Sequence, residues 1–196
     1  MVTTTSILKK QYSSYSNPLD KIKRDVDNGN LIRLRRGIYE TDSNAIPHFL
    51  AAFILSPSYL SFEWALSYYG LIPEKVVAIT SASLNIRKNK TFLNKFGRYE
   101  FSDISTNAFS EGLTYLENGN CIVKIASKEK AICDSLSKWR VVRNIKGLKE
   151  LLFFDKRIDE NEFKMCDFSL MKRLASLYNK GNLYLLIKLI KEYERD

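Results

Sequence analysis

A sharply delimited helix followed at once by an arginine-rich ribbon constrains the fold of this chain more than any other feature. Residues 17–29 read NPLDKIKRDVDNG and residues 31–39 read LIRLRRGIY. Ser16 or Asn17 can cap the first N–H groups of the helix, because their side-chain oxygens accept hydrogen bonds there. Pro18 suits the first helical position, where an amide hydrogen has no partner within the helix. The sequence therefore predicts a helix that begins at Pro18.

The same segment carries an apolar stripe and a stop. Leu19, Ile22 and Val26 recur at spacings of three and four residues, which predicts that they lie together on one buried face. Asn28 and Gly29 follow, and glycine readily adopts the left-handed conformation found at helix C-termini. The helix is therefore predicted to end at Asn28.

Apolar residues and arginines alternate in the segment that follows. In residues 31–35 the arginines fall on one face of an extended strand, and Ile32 and Leu34 fall on the other. Residues 36–37, Arg-Gly, supply a turn, and residues 38–39 begin the return strand. The pattern predicts a half-buried β-hairpin with one positively charged face.

Positive charge is the feature that the helix and the hairpin share. A helix that leads into a cationic ribbon can present its charge to a duplex groove and to the flanking phosphates together, as in a winged helix-turn-helix. Three side chains with hydroxyl groups, just ahead of the helix, can donate further phosphate hydrogen bonds. The candidate DNA-binding residues are Ser13, Ser14, Tyr15, Lys21, Lys23, Arg24, Arg33, Arg35 and Arg36.

The hairpin also has a simpler explanation. Charged side chains on an edge strand discourage aggregation between sheets, whatever the protein binds. Under this alternative the chain is a protein-partner-binding module without DNA binding. A motif match by itself does not separate the two interpretations.

The distribution of charge favours a polyanionic partner. The chain carries a net charge of +9. Residues 1–40 hold eight Lys and Arg against four Asp and Glu, residues 41–126 seven against seven, and residues 127–196 sixteen against eleven. The excess therefore lies in the two ends. Such an excess attracts nucleic acids through counterion release, without sequence preference.

Composition limits the class of protein. With 196 residues and 45% hydrophobic side chains, the chain can bury one good core or two modest ones. No apolar run approaches the roughly 20 residues that cross a bilayer, and no secretion signal is evident, so we expect a cytoplasmic protein. Cys121, Cys133 and Cys166 are widely separated and form no C-x-x-C pair. We predict three free, buried thiols, with neither a disulfide framework nor a zinc site.

The rest of the chain predicts an α+β fold. Residues 76–80, VVAIT, are typical of a short buried strand, and Asn118 and Gly119 of a tight hairpin turn. Three or four strands are expected in this middle part, mainly helices after it, and most aromatic side chains in the core. We therefore predict an N-terminal winged helix-turn-helix over residues 1–42, followed by a mixed α/β domain with a helical C-terminal region over residues 43–196.

Residues that support catalysis are sparse. His48 is the only histidine, and no glycine-rich phosphate loop or G-x-S-x-G motif occurs, so we predict no enzyme activity, no metal site and no cofactor. One alternative stays open. Asp155, Asp159, Glu162 and Lys164 loosely match the acid-and-lysine set of metal-dependent nucleases, which requires carboxylates that converge on magnesium.

Four segments occur in an order that resembles a known family. They read LIRLRRGIY, SYLSFEWALSYYGLI, VVAITSAS and VKIASKEKAICDSL. Their landmarks are the arginine-rich ribbon that ends in G-I-Y, a Y-L-S…A-L…Y-G-L helix and an A-S-x-E-K-A-x-x-D helix start. From about Ile7 to Trp139 the chain resembles the AbiEi-type antitoxins of bacterial type IV toxin–antitoxin, or abortive infection, systems.

This resemblance implies a fold, a function and a partner. It implies an N-terminal winged helix-turn-helix that binds operator repeats in double-stranded DNA and represses its own operon. It also implies a C-terminal antitoxin domain that counteracts a nucleotidyltransferase-like toxin without a stable complex. The chain contains no G-S dipeptide, with which the nucleotidyltransferase motif of such a toxin begins, so it is not expected to be the toxin itself.

Overall fold

The computed structural model describes residues 1–195 and has a mixed α+β architecture. Within these residues it contains nine α-helices and two β-sheets, one of three strands and one of six. The predicted α+β fold class is confirmed. In this part of the chain, none of the helices combines the length and the apolar character needed to span a membrane.

The smaller sheet is antiparallel and lies at the N-terminus. Its strands are β1 (Val2–Thr4), β2 (Ile32–Arg35) and β3 (Ile38–Glu40), in the order β1-β3-β2. Between β1 and β2 the chain forms α1 (Thr5–Gln11) and α2 (Pro18–Asp27). The predicted helix and ribbon are thus confirmed as α2 and the β2–β3 hairpin. β1 is not among the predicted elements, because a strand of three residues has too few positions for an alternating pattern.

The predicted cap is confirmed, but one residue of the predicted apolar stripe is wrong. Asn17 Oδ1 accepts a hydrogen bond from the Leu19 backbone N–H at 3.1 Å. Ile22 is buried and Val26 partly buried, whereas Leu19 is 50% exposed. The small N-terminal core reaches the middle of α2 but not its first turn, so the second buried position is Asp25.

The larger sheet is mixed and has more strands than the three or four predicted. Its order is β6-β7-β5-β4-β9-β8, with β4 parallel to β9 and β5 parallel to β7. Two of its strands are not predicted by any sequence pattern, because β4 is very short and β6 has no buried side chain. The strands are β4 (Ser58–Leu60), β5 (Ile79–Ser83), β6 (Lys90–Asn94), β7 (Gly97–Asp103), β8 (Leu113–Asn118) and β9 (Cys121–Ala126).

The remaining helices pack against this sheet and against each other. Every residue of α5 after Lys128 is buried, so α5 is the centre of the helical layer. A π-helical segment, Glu150–Asp155, continues α6, and a 3₁₀ turn, Pro47–Leu50, precedes α3. The helices are α3 (Ala51–Ile54), α4 (Phe62–Tyr68), α5 (Lys128–Leu136), α6 (Ile145–Lys149), α7 (Glu160–Lys164), α8 (Phe168–Ser176) and α9 (Gly181–Tyr193).

Two hydrophobic cores form, and we call residues 1–42 the N-terminal unit and residues 43–195 the body. The small core of the N-terminal unit is centred on Leu8, Ile22, Leu31 and Tyr39. The large core fills the body and also takes in Leu34 from β2. The Asn94 side-chain amide donates a hydrogen bond to the Leu34 carbonyl at 3.1 Å, which ties the hairpin to β6. The division into two domains at these boundaries stays a prediction.

Two further local predictions are wrong. The strand predicted over residues 76–80 is β5, which begins at Ile79, and Val77 lies 85% exposed in the loop that precedes it. Cys121 was expected to be buried but is exposed, because it follows the Asn118–Gly119 turn at the tip of the β8–β9 hairpin. The turn itself is confirmed, as are the buried thiols of Cys133 and Cys166.

Candidate functional site

The N-terminal sheet lies between the helices of its own unit and the body. Tyr39 faces the small core, and its cross-strand partner Arg33 is on the same face of the sheet. Ile32 and Leu34 are buried on the opposite face, toward the body. The predicted alternation is therefore confirmed from Ile32 to Leu34. It fails at Arg35, because the register shifts before this residue, which pairs with Ile38 and so does not share the face of Arg33 and Tyr39.

Lys21 and Asp25 form a structural clamp inside this unit. Asp25 is only 3% exposed, and the Lys21 ammonium lies 2.6 Å from its carboxylate. The hydrogen bond from Lys21 holds the pKa of Asp25 below its usual value, with a further contribution from the Tyr12 hydroxyl. The same Lys21 ammonium lies 5.5 Å from the centre of the Tyr12 ring and 5.7 Å from that of Tyr15. Lys21 is thus held by its own unit.

Two other cations of α2 point away from the core. Lys23 and Arg24 are exposed and lie on the face opposite Ile22 and Asp25. Arg24 Nε donates a long hydrogen bond of 3.4 Å to the carbonyl oxygen of Asp20, one turn earlier. The Lys23 ammonium and the Arg24 guanidinium therefore remain available to a ligand that approaches this face of the helix.

The hairpin arginines occupy three different environments. Arg33 is exposed, and its guanidinium lies 5.9 Å from the centre of the Tyr39 ring. Arg35 is half-buried, follows a shift in strand register, and has a buried Nε with no hydrogen-bond partner. Arg36 is exposed at the turn, next to Gly37, whose φ of +82° requires glycine. The arginine nearest the core is thus the least satisfied of the three.

The turn between α1 and α2 holds the three predicted hydroxyl donors. Ser13, Ser14 and Tyr15 are all exposed there. The Tyr15 ring packs edge-on against Tyr12 with their centres 5.7 Å apart, which leaves its hydroxyl accessible while the ring is anchored. The turn therefore presents polar groups beside the N-terminus of α2.

The candidate cations differ in whether they have a carboxylate partner. Within residues 1–195, Lys23, Arg24, Arg33, Arg35 and Arg36 form no ion pair, in contrast to Lys21. A set of fixed cations without internal counter-ions attracts an external polyanion, because binding releases the counter-ions of that polyanion. The geometry of the N-terminal unit is therefore suited to a phosphate-bearing ligand.

The four residues of the nuclease alternative do not converge. Asp155 pairs with Arg140, Glu162 with Lys128 at 2.8 Å, and Asp159 caps α7. Lys164 pairs with Glu160 at 3.0 Å. In the part of the chain that the structure describes, no group of three or more His, Cys, Asp or Glu side chains is placed to hold a metal ion. The carboxylate cluster that this alternative requires is therefore missing there.

A fully buried polar network in the body is not among the predicted features. Lys130 and Asp134 are completely buried and pair at 2.8 Å. Tyr59 donates a hydrogen bond to the Asp134 carboxylate at 2.9 Å and Ser61 donates another at 2.6 Å. The Tyr178 hydroxyl contacts both Lys130 and Asp134.

The network has an electrostatic signature and a signal in the sequence. Burial, together with the nearby Asp134 carboxylate, raises the pKa of Tyr59 and of Tyr178. Lys130 and Asp134 are four residues apart within the A-S-x-E-K-A-x-x-D motif, a spacing that pairs opposite charges on a helix. That spacing could have identified the pair, but an apolar stripe alone does not show that the other face is buried too.

Comparison with known proteins does not identify a function for this chain. No protein-family model matches the sequence, and no curated protein matches it. What supports a function is therefore the arrangement of the residues described above.

Proposed function

We propose that this protein is a DNA-binding transcriptional autorepressor and antitoxin of the AbiEi type. Its N-terminal unit would act as a winged helix-turn-helix on operator repeats of its own operon. Its body would counteract a nucleotidyltransferase-like toxin without forming a stable complex. We place this function in the cytoplasm, where free thiols such as Cys133 stay reduced.

The order of elements in the N-terminal unit supports a winged helix-turn-helix. α1 and α2 follow each other through a short turn, and the β2–β3 hairpin comes directly after α2. In helix-turn-helix proteins the second helix enters the major groove and the first crosses the DNA backbone. α2 is then the reading helix and the β2–β3 hairpin is the wing.

One observation carries the proposal. Five cations on α2 and the hairpin form no ion pair within residues 1–195, namely Lys23, Arg24, Arg33, Arg35 and Arg36. These cations lie on one helix and on the hairpin that follows it directly, so their charges fall close together. This concentration of charge on one helix and one hairpin favours a phosphate-bearing ligand over a merely solvated edge.

The proposal gives these residues different roles. Lys23 and Arg24 reach base edges or adjacent phosphates in the major groove. The hairpin arginines grip the backbone or the minor groove, and the turn hydroxyls of Ser13, Ser14 and Tyr15 donate to phosphates. Lys21 is a positioning residue, since it pairs with Asp25 on the same helix and lies beside the rings of Tyr12 and Tyr15 in the preceding turn.

A mobility-shift experiment with the duplex upstream of its own gene tests DNA binding. Lys23→Ala/Arg24→Ala should weaken the shift strongly and reduce the preference for this duplex over a scrambled one. The matched control is Lys188→Ala/Lys191→Ala, which removes two exposed cations from α9 and leaves the net charge equal to that of the test variant. Equal binding by both double variants would remove DNA recognition from the N-terminal unit.

Co-expression with a neighbouring nucleotidyltransferase tests the antitoxin part. The full chain should relieve growth arrest, and the Lys23→Ala/Arg24→Ala variant should still relieve it while no longer repressing a reporter driven by the upstream region. Loss of both activities in this variant would contradict a division of labour between the N-terminal unit and the body.

A further inference from the structure

A stack of aromatic rings lies on the surface of α4. The Trp64 and Tyr68 rings are parallel within 9°, with their centres 5.6 Å apart. The His48 ring also packs against Trp64, tilted by 40° and with its centre 5.1 Å away. Tyr68 is 53% exposed, so the stack ends in a ring that solvent reaches. The prediction that most aromatics are core residues holds for Trp64, which is half-buried against the large core, but not for Tyr68.

A second tryptophan flanks the same helix. Trp139 Nε1 donates a hydrogen bond of 3.1 Å to the carboxylate of Glu63 on α4. The Lys156 ammonium lies 5.0 Å from the centre of the Trp139 ring. Trp139 is therefore fixed in orientation and has a cation beside its face.

Trp139 belongs to a strongly basic segment of the chain. Residues 138–149 read KWRVVRNIKGLK, with five cations and no acidic residue. Two of these cations are paired, Arg140 with Asp155 and Lys149 with Glu192 at 3.3 Å. Within the described part of the chain, Arg143 and Lys146 form no ion pair and line a groove of about 440 Å³.

We propose that this surface binds single-stranded nucleic acid. We call it the aromatic–cationic strip, and its residues are Trp64, Tyr68, Trp139, Arg143, Lys146 and Lys156. Unstacked bases would pack on the aromatic rings while the cations contact the phosphates, the combination found in proteins that bind single strands. This activity is separate from duplex binding by the N-terminal unit, since the bases of a duplex are already stacked on each other.

The partners of the local carboxylates favour an anionic ligand. Glu63 is bound to Trp139, Asp155 to Arg140, and Glu74 to Arg157. The arginines neutralise Asp155 and Glu74, whereas Glu63 keeps its charge and Glu150 also lines the groove. Among the described residues, the cations Arg143, Lys146 and Lys156, which form no ion pair, outnumber these two acids. A polyanion with flat apolar faces matches both parts of the strip.

Tryptophan fluorescence reports on the strip directly, because the chain contains only two tryptophans and both lie in it. In the full-length Trp64→Phe variant, Trp139 is the only tryptophan, and excitation that tyrosine does not absorb reports on it alone. We expect oligouridylate and oligothymidylate of about 12 nucleotides, within the usual site sizes, to quench it. The oligonucleotide that quenches the fluorescence more strongly identifies RNA or DNA as the ligand. A duplex of the same length and heparin, a polyanion without bases, should leave it almost unquenched.

Variants assign the binding to named residues. Binding by each variant is followed by the anisotropy of a labelled oligonucleotide. Trp139→Ala should weaken it about tenfold, whereas Trp139→Phe, which keeps a ring, should stay close to the wild type. Arg143→Ala/Lys146→Ala should reduce the slope of log affinity against log salt by about 1.4. Lys188→Ala/Lys191→Ala on α9 and Arg33→Ala/Arg36→Ala on the hairpin should leave single-strand binding unchanged, so this test is independent of duplex binding.

Three results would overturn the proposal. The first is no quenching by either single strand at low salt. The second is quenching by heparin equal to that by the oligonucleotides, which would indicate a general response to polyanions. The third is an Arg143→Ala/Lys146→Ala variant that binds no differently from the α9 control.

Discussion

In the N-terminal unit, Lys23, Arg33 and Arg36 are exposed and form no ion pair with any residue that the structure describes, whereas in the body Lys130 is completely enclosed. The first set adds little to folding and is free to meet a ligand. Lys130 has Asp134 and Tyr178 as fixed partners, and its removal would leave a buried carboxylate uncompensated. Burial and partners therefore separate cations that are accessible to a ligand from cations that hold the fold, although both kinds are Lys or Arg in the sequence.

Removing the enclosed cation gives the largest expected effect. Lys130→Met should lower the free energy of unfolding by about 3–5 kcal/mol, because Asp134 then lies buried without a counter-charge. Urea unfolding of the full chain measures this. The control is Lys128→Met, whose pair with Glu162 is partly exposed and should contribute no more than about 1 kcal/mol. Equal losses in both variants would contradict the contrast between enclosed and exposed cations.

Alanine substitutions at two glycines compare the packing of the body with that of the N-terminal unit. Gly112 and Gly29 have positive φ angles, +67° and +78°, so alanine at either introduces a strain of about 1–2 kcal/mol. A Cβ at Gly112 would lie 2.9 Å from a methyl group of Leu174, whereas a Cβ at Gly29 meets no atom within 4 Å. Gly112→Ala should therefore destabilise by about 1–3 kcal/mol more than Gly29→Ala. Equal losses of unfolding free energy for the two variants in urea would mean that the packing of the body around Gly112 adjusts at little cost.

Acid should weaken the clamp of the N-terminal unit. The folded-state pKa of Asp25 is lowered by Lys21, so its stabilisation is present at neutral pH and is lost as the pH falls through that folded-state value. Asp25→Asn should cost about 1–3 kcal/mol at neutral pH, and its difference from the wild type should shrink in acid. Asp27→Asn, at an exposed position on α2, is the control. A difference that does not change with pH would exclude this ionic role.

The smallest effect concerns the thiols of the body. Burial raises the pKa of Cys166 to about 12 and also raises that of Cys133, whereas Cys121 is exposed. A thiol reagent should therefore modify one cysteine in the native protein and three in denaturant. Cys121→Ser should abolish the native reaction and change stability by less than about 0.5 kcal/mol. Rapid native modification of Cys133 would show that the core of the body opens readily.

Local patterns in the sequence were enough for part of this fold. The cap at Asn17, the α2 helix, the β2–β3 hairpin and the Asn118–Gly119 turn each depend on short-range geometry, and the structure contains all of them. Leu19 was predicted to be buried, but its exposure depends on where a small core ends, which no local pattern specifies. β4 and β6 could not be predicted for a similar reason, because pairing with neighbouring strands defines them and their own sequences do not alternate.

The candidate site was predictable in position but not in detail. Its arginines and lysines follow from the sequence, but the assignment of Lys21 to a structural clamp depends on Asp25 being buried. The Trp139–Glu63 contact joins residues 76 positions apart, so only the folded chain brings the aromatic–cationic strip together. The spacing of residues along the sequence does not predict contacts between distant segments of the chain.

The central claim is that the exposed cations of the N-terminal unit bind duplex phosphate. The most direct test is a salt titration of binding to the duplex upstream of its own gene, with Arg33→Ala/Arg36→Ala beside the Lys188→Ala/Lys191→Ala control. The account predicts that the hairpin variant lowers the slope of log affinity against log salt by about 1.8 while the control leaves it unchanged. Identical slopes in the wild type and in both variants would contradict it.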